Sequence, residues 1–133
     1  CKDEGLVDHV GLSNVSVDQL DRARDQVDIV SVQNRYNVTH REDEAVLQAC
    51  EEYDIGFIPW YPLAAGDLGG RVSEVADAHD ATPQQVALAW LLAHSEVMLP
   101  IPGTASAAHL EENVAASRLD LTDEAYTRLA ALA

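Results

Sequence analysis

Residues 7–33 read VDHVGLSNVSVDQLDRARDQVDIVSVQ, and this stretch decides the fold. Val7 to Ser13 is a short apolar run that closes on a polar Ser-Asn pair, as a strand does. Ser16-Val17-Asp18-Gln19 sets a hydroxyl and a Gln three residues apart. That is a capping box, and a helix is expected from it to about Gln26. Asp28 to Gln33 is a second strand, again ending in polar residues. Strand, helix and strand in succession argue for a parallel sheet with crossover helices.

The same alternation runs outward along the chain. Glu42 to Asp54 carries Ala45, Val46, Ala49 and Cys50 at helical spacing. Ile55 to Tyr61 (IGFIPWY) reads as a third strand and Val72 to His79 as a helix. Thr82-Pro83-Gln84-Gln85 offers Thr at the N-cap, Pro at the first helical position and Gln at the third. The helix from Pro83 runs through Val86, Leu88, Trp90 and Leu91 to about His94. Val97 to Ile101 (VMLPI) is the fourth expected strand. Helices are expected at about Ala107 to Ala116 and, behind Thr122, at Asp123 to Leu132. The strands are near-continuous apolar runs, which suits a sheet covered on both faces. Residues 1–133 read as one partial domain, with no linker or low-complexity segment dividing them.

Composition limits the partners. The 133 residues carry 8 Lys+Arg against 23 Asp+Glu, a formal charge of −15. Such a chain repels phosphate backbones and anionic lipid, so neither nucleic acid nor a membrane is an expected partner. The acidic excess reads as a solvated surface; adaptation to a salty cytoplasm is the sharper reading, weakly supported by one Lys against seven Arg. Apolar residues make up 47%, enough for a core. No run of 18 apolar residues spans a membrane. The opening residues Cys1-Lys2-Asp3-Glu4-Gly5 lack the order of a secretory signal. Cys1 and Cys50 form no disulfide framework and no metal-ligand spacing is visible, so a reducing cytoplasm is the expected place.

Parallel α/β folds bind ligands at the carboxyl ends of their strands. Here the four ends are Ser13-Asn14, Gln33-Asn34-Arg35-Tyr36, Trp60-Tyr61-Pro62-Leu63 and Pro102-Gly103-Thr104. Each alone suits a turn; as a set they gather hydrogen-bonding and aromatic groups. GLSN, VQNRYN, PWYPLAAG and LPIPGT followed by HLEENV, with TPQQVALAW before the fourth strand, form an ordered set over about residues 8 to 117. That set resembles the carboxyl-terminal half of the aldo-keto reductase family. The resemblance implies a TIM-type (β/α)8 barrel that uses NADPH, or NADH, to reduce a small-molecule carbonyl substrate. A whole barrel needs about 250 residues, so this chain would supply strands five to eight.

By that resemblance, Ser13, Asn14 and Gln33 would hold the nicotinamide carboxamide, for which amide and hydroxyl side chains supply both donors and acceptors. Trp60 would stack on the nicotinamide where Tyr is commoner, and Tyr61 stands where Ser is common. Leu63 to Gly66 would run along the pyrophosphate. Gly103 replaces a frequent Lys, Thr104 follows it, and His109 aligns with a frequent Arg. Glu112 and Asn113 match the pair that contacts adenine. The helix starting near Ser106 would aim its N–H groups at phosphate.

The family's catalytic Asp, Tyr, Lys and His belong to the other half of the barrel. The Tyr acid needs a nearby Lys, and the sole Lys here is Lys2. No catalytic residue and no metal ligand is assigned. His9, His40, His79 and His94 read as structural or exposed, with His109 the exception. The expected function is an aldo-keto reductase present as its cofactor-binding half and inactive alone, pairing with an amino-terminal half or with itself. A non-catalytic nucleotide-binding module and a self-pairing structural half-barrel are the alternatives.

Overall fold

Ser16 and Gln19 satisfy each other's backbone. Ser16 Oγ accepts from the Gln19 amide, and Gln19 Oε1 accepts from the Ser16 amide at 2.9 Å. The helix that follows, α1 (Val17–Arg24), joins β1 (Val10–Ser13) to β2 (Ile29–Gln33) in a computed structural model that describes residues 2–132. The reading of Cys1 lies outside those residues. Beyond β2 come α2 (Glu44–Glu52), β3 (Gly56–Phe57), α3 (Gly70–Ala78), α4 (Pro83–His94), α5 (Ala107–Ala115) and α6 (Asp123–Ala130). Single 3₁₀ turns occupy Ala64–Gly66 and Ala116–Arg118.

The strands form one parallel sheet in the order β1-β2-β3. Ser13 pairs with Gln33, Leu12 with Val32, and Val32 with Phe57. On the helix side, Val32, Phe57 and Met98 are fully or nearly fully buried with Val86, Trp90 and Leu91 of α4. Alternation along the strands turns Gly11, Ser13, Ser31 and Gln33 to the opposite face. A Cβ at Gly11 would press into Ser31 Oγ and lie 3.2 Å from Ser31 O, so a larger residue there would need the Ser31 hydroxyl to turn away and β2 to give slightly. Leu99 lies against Gly56 and is 53% exposed; Ile101 is 47% exposed. The sheet is covered on its helix side, while this second side stays open.

The expected strands also shrink. The fourth, at Val97 to Ile101, is reduced to a single parallel bridge between Phe57 and Met98. Two hydrogen bonds flank it, from the Phe57 amide to Val97 O and from the Leu99 amide to Phe57 O, both 2.8 Å. Pro100 and Pro102 have no N–H to extend the ladder. The third was read as Ile55 to Tyr61 but spans Gly56–Phe57, because Pro59 interrupts it. Pairing resumes beyond the proline: the Trp60 amide donates to Asn34 O at 3.0 Å, and Arg35 bridges Trp60 in parallel. The first strand begins at Val10 rather than Val7.

The helices follow the sequence closely. Thr82 and Gln85 form the expected capping box, and α4 occupies the residues read for it. In α2, Val46, Leu47, Ala49 and Cys50 are buried, while Ala45 faces solvent. Among the described residues no helix is long and apolar enough to cross a membrane.

Candidate functional site

The ends of the three strands are tied together by side chains. β2 lies between β1 and β3, yet Trp60 Nε1 donates to Asn14 Oδ1 at 2.8 Å, so the indole reaches across the end of β2. Asn14 in turn donates to Ser13 Oγ at 3.1 Å, and its backbone amide donates to Gln33 O at 2.9 Å. Asn14 sits in the left-handed region, at φ 55°, which its short polar side chain tolerates. The half-buried Gln33 side-chain amide has no hydrogen bond to another described residue, so its donor and acceptor are both uncommitted. Asn34, on the helix side, is buried and fixes the first loop through two bonds to the backbone of Val15, at 3.1 and 2.8 Å.

Backbone strain concentrates in the next segment. Tyr61, Ala64 and Ala65 have φ of 65°, 46° and 52°, and Gly66 follows at 90°. Each such non-glycine residue costs of order 1–2 kcal/mol. Asn37 Nδ2 donates to Tyr61 O at 3.0 Å and holds the turn. The Tyr61 ring sits edge-on to Trp60, with centres 6.3 Å apart.

A cleft of about 170 Å³ lies beyond, lined by Leu63, Gln84, Gly103, Thr104, His109, Glu112 and Asn113. Six of these were singled out in the sequence. Gln84 was passed over, because its place in the first turn of α4 gave it a sufficient helical reason to be there. α4 and α5 are joined at this point by Gln85 Nε2, which donates to Glu112 O at 3.2 Å. Thr104 Oγ1 accepts from the Ser106 amide at 3.1 Å, and Ser106 caps α5. The structure thus makes two groups of the sequence-read residues: Ser13, Asn14, Gln33, Trp60 and Tyr61 at the strand ends, and the cleft set. Gly66 belongs to neither; it closes the strained turn.

A wider, open depression of about 570 Å³ is lined by Thr39, His40, Arg41, Glu42, Glu44 and His94. None of its residues was read as part of a site; His40 and His94 were read as structural or exposed. Its floor is a network the sequence did not reveal. Tyr36 donates its proton to Glu44 and accepts from His94 Nε2 at 2.9 Å, while His94 Nδ1 bonds the Tyr126 hydroxyl at 2.8 Å. Burial, reinforced by Glu44, pushes the Tyr36 hydroxyl far above its ordinary value; burial also raises Tyr126. Both stay protonated donors. Their hydrogen-bonding capacity is spent inside the network, and the strand ends remain the candidate site.

Comparison with known proteins gives the family. The sequence profile of the Aldo/keto reductase family matches residues 1–73 and 67–133. Pyridoxine 4-dehydrogenase of Escherichia coli is 47% identical over 128 residues, covering 95% of this chain and 45% of that protein. A crystal structure of a thermostable aldo-keto reductase in complex with the inhibitor epalrestat superposes with a TM-score of 0.92 at 31% identity, over 99% of this chain and 51% of that one. An aldo-keto reductase from Klebsiella pneumoniae in complex with NADPH gives 0.87 at 27%, over 96% and 49%. The chain spans about half the length of the curated relatives it matches and corresponds to half of a (β/α)8 barrel. With matches along both halves of its own length, the chain belongs to the aldo-keto reductase family.

Proposed function

We propose that this chain is the cofactor-binding half of a cytoplasmic NAD(P)H-dependent carbonyl reductase and is inactive alone. The observation that carries the reading is the Trp60–Asn14 bond across the end of β2. It holds an indole face above a strand end that presents Ser13 and the uncommitted Gln33 amide. A nicotinamide carboxamide needs one donor and one acceptor, and Gln33 offers both. The residues fit the group: the indole would support the ring, Gln33 and Ser13 would orient the amide, and the cleft around Thr104, His109, Glu112 and Asn113 would take the adenosine end. When bound, the reduced nicotinamide supplies the hydride. The chain's own residues bind it, orient it and fix which ring face is exposed. Gly103 and Thr104 bring no charge to the adenosine end, and His109 is the one cationic candidate there, so NADPH and NADH both fit. The pyridoxine 4-dehydrogenase relative points to a small carbonyl or alcohol as substrate of the whole enzyme.

On this reading the proton donor for carbonyl reduction comes from elsewhere: Tyr36 is buried and bonded inward, and the accessible Tyr61 has no lysine partner to activate it, because the one Lys, Lys2, pairs with Asp28 at 3.0 Å. The experiment is to assay the chain alone and then joined to an amino-terminal half carrying the Asp, Tyr, Lys and His. Alone it should bind NADPH weakly and reduce nothing; joined, it should turn over, and Gln33→Ala should weaken NADPH. Reductase activity of the isolated chain that survives Lys2→Ala defeats the reading.

A self-pairing half-barrel is favoured by one observation, the exposure of Leu99 and Ile101 on the open face. Two chains could cover these faces against each other. Salt should promote this by screening the acidic surfaces. Sedimentation across a salt series tests it, and a compact monomer at every concentration removes it.

A further inference from the structure

We propose that Arg35 holds an anionic group of the carbonyl substrate beside the nicotinamide site, so that the complete enzyme favours substrates bearing a carboxylate or phosphate. The inference rests on the cofactor reading above and names a residue and substrate class that reading does not.

Arg35 and Trp60 are bridge partners in parallel register, so their side chains leave the sheet on the same face. Gln33 lies two residues earlier on that face. The Arg35 guanidinium carbon is 5.9 Å from the centre of the Trp60 ring and 5.1 Å from that of Tyr61. These contacts place a planar cation against both aromatic rings at the strand ends.

Among the described residues Arg35 has no carboxylate partner. Carboxylates outnumber cations 23 to 8 in this chain. Lys2, Arg24 and Arg128 each pair with one, at 3.0, 3.8 and 2.8 Å. Arg35 is exposed and has neither an ion pair nor a hydrogen bond to another described residue. Arg22, Arg41, Arg71 and Arg118 are also without ion pairs among the described residues, but Arg22, Arg71 and Arg118 belong to α1, α3 and the turn after α5, and Arg41 donates to Ala130 O and lies over the buried Trp90 ring. Arg35 alone among these stands at a strand end. The aromatic rings restrain the guanidinium and leave its N–H donors unspent. Such a fork matches the two oxygens of a carboxylate or phosphate. The net charge of −15 repels anions at long range, so an anion settles only where a local cation holds it.

The test uses the 133-residue chain and Trp60 fluorescence, with the buried Trp90 as a constant background. Benzoate and phenyl phosphate should bind saturably, and neutral benzamide about tenfold more weakly. Whichever anion binds tighter names the preferred group. Arg35→Gln should bring both anions down to the benzamide level, Arg35→Lys should retain part of the effect, and Arg118→Gln should change nothing. Circular dichroism confirms that each variant is folded. Equal affinity for benzoate and benzamide, no saturable response to either anion, or anion binding indifferent to Arg35→Gln overturns the proposal. Failure of the cofactor reading appears separately, as NADPH affinity indifferent to Gln33→Ala.

Discussion

The two tryptophans make opposite bargains with their surroundings. Trp90, in the middle of α4, is fully buried, and the His94 ring lies nearly parallel to it at 4.5 Å. Tyr126 and Tyr36 stack at 6.1 and 6.5 Å, and the Arg41 guanidinium sits 5.2 Å from its ring centre. Its Nε1 is buried without a partner, a sacrifice of about 1–3 kcal/mol that the packing offsets. Trp60 is only partly buried and keeps its N–H satisfied by Asn14. The difference separates a ring committed to packing from one kept accessible. A side chain that sacrifices a hydrogen bond for packing belongs to the core; one that uses its polar atom to fix an accessible ring is what the proposed site requires.

The largest test of that contrast is truncation. Trp90→Ala should cost about 3–5 kcal/mol in urea unfolding, and Trp60→Ala less than about 1.5 kcal/mol. Equal costs would erase the distinction between the two regions. Tyr36→Phe comes next, at about 1–3 kcal/mol, since it leaves Glu44 and His94 without their shared hydroxyl. It should also change the alkaline limb. Tyr36 ionises far less readily folded than unfolded, so the unfolded chain releases the proton first and stability falls as pH rises above the ordinary tyrosine value. In Tyr36→Phe that decline should flatten.

Cys50 sharpens the same side of the comparison at lower pH. Burial, then Glu51, pushes its thiol from 9.0 to about 11. Its contribution is complete below pH 9 and is lost between 9 and 11, at up to about 1 kcal/mol per pH unit. Cys50→Ala should be less sensitive across that window; an unchanged slope would mean the thiol ionises as freely folded as unfolded. The smallest effects belong to the caps. Thr82→Ala should cost about 1 kcal/mol, because both halves of its capping box are formed. Ser106→Ala should cost only a few tenths, since its hydroxyl accepts a single bond, from the His109 amide, at 3.4 Å. A Ser106 loss as large as that of Thr82 would show that α5 is anchored more firmly than its geometry indicates.

What was legible in the sequence was local. The Ser16 and Thr82 caps set α1 and α4 because a cap and its partner are three residues apart. The strand-end residues announced themselves as polar and aromatic groups where apolar runs stop. Strand lengths were misread for an equally local reason: hydrophobicity continued through Pro59 and Pro100, but hydrogen bonding could not. The Tyr36–Glu44–His94–Tyr126 network was invisible, since its members come from a loop and three separate helices and no spacing links them. Gln84 was hidden by a good alternative explanation. Arg35 was quoted within a motif, but only the register of β2 against Trp60 showed which way it goes.

The proline-limited fourth segment has a consequence for how the sheet opens. β2 is flanked on both sides, whereas Met98 and Leu99 are held to the sheet by one bridge and two hydrogen bonds. Backbone amides therefore form a gradient of protection against deuterium. Those of β2 should exchange last and Ile101 among the first, with Leu99 between them. Exchange would then peel this sheet from its carboxyl-terminal edge inward: the Phe57 amide, bonded to Val97 O, opens with that edge while Val32 remains closed.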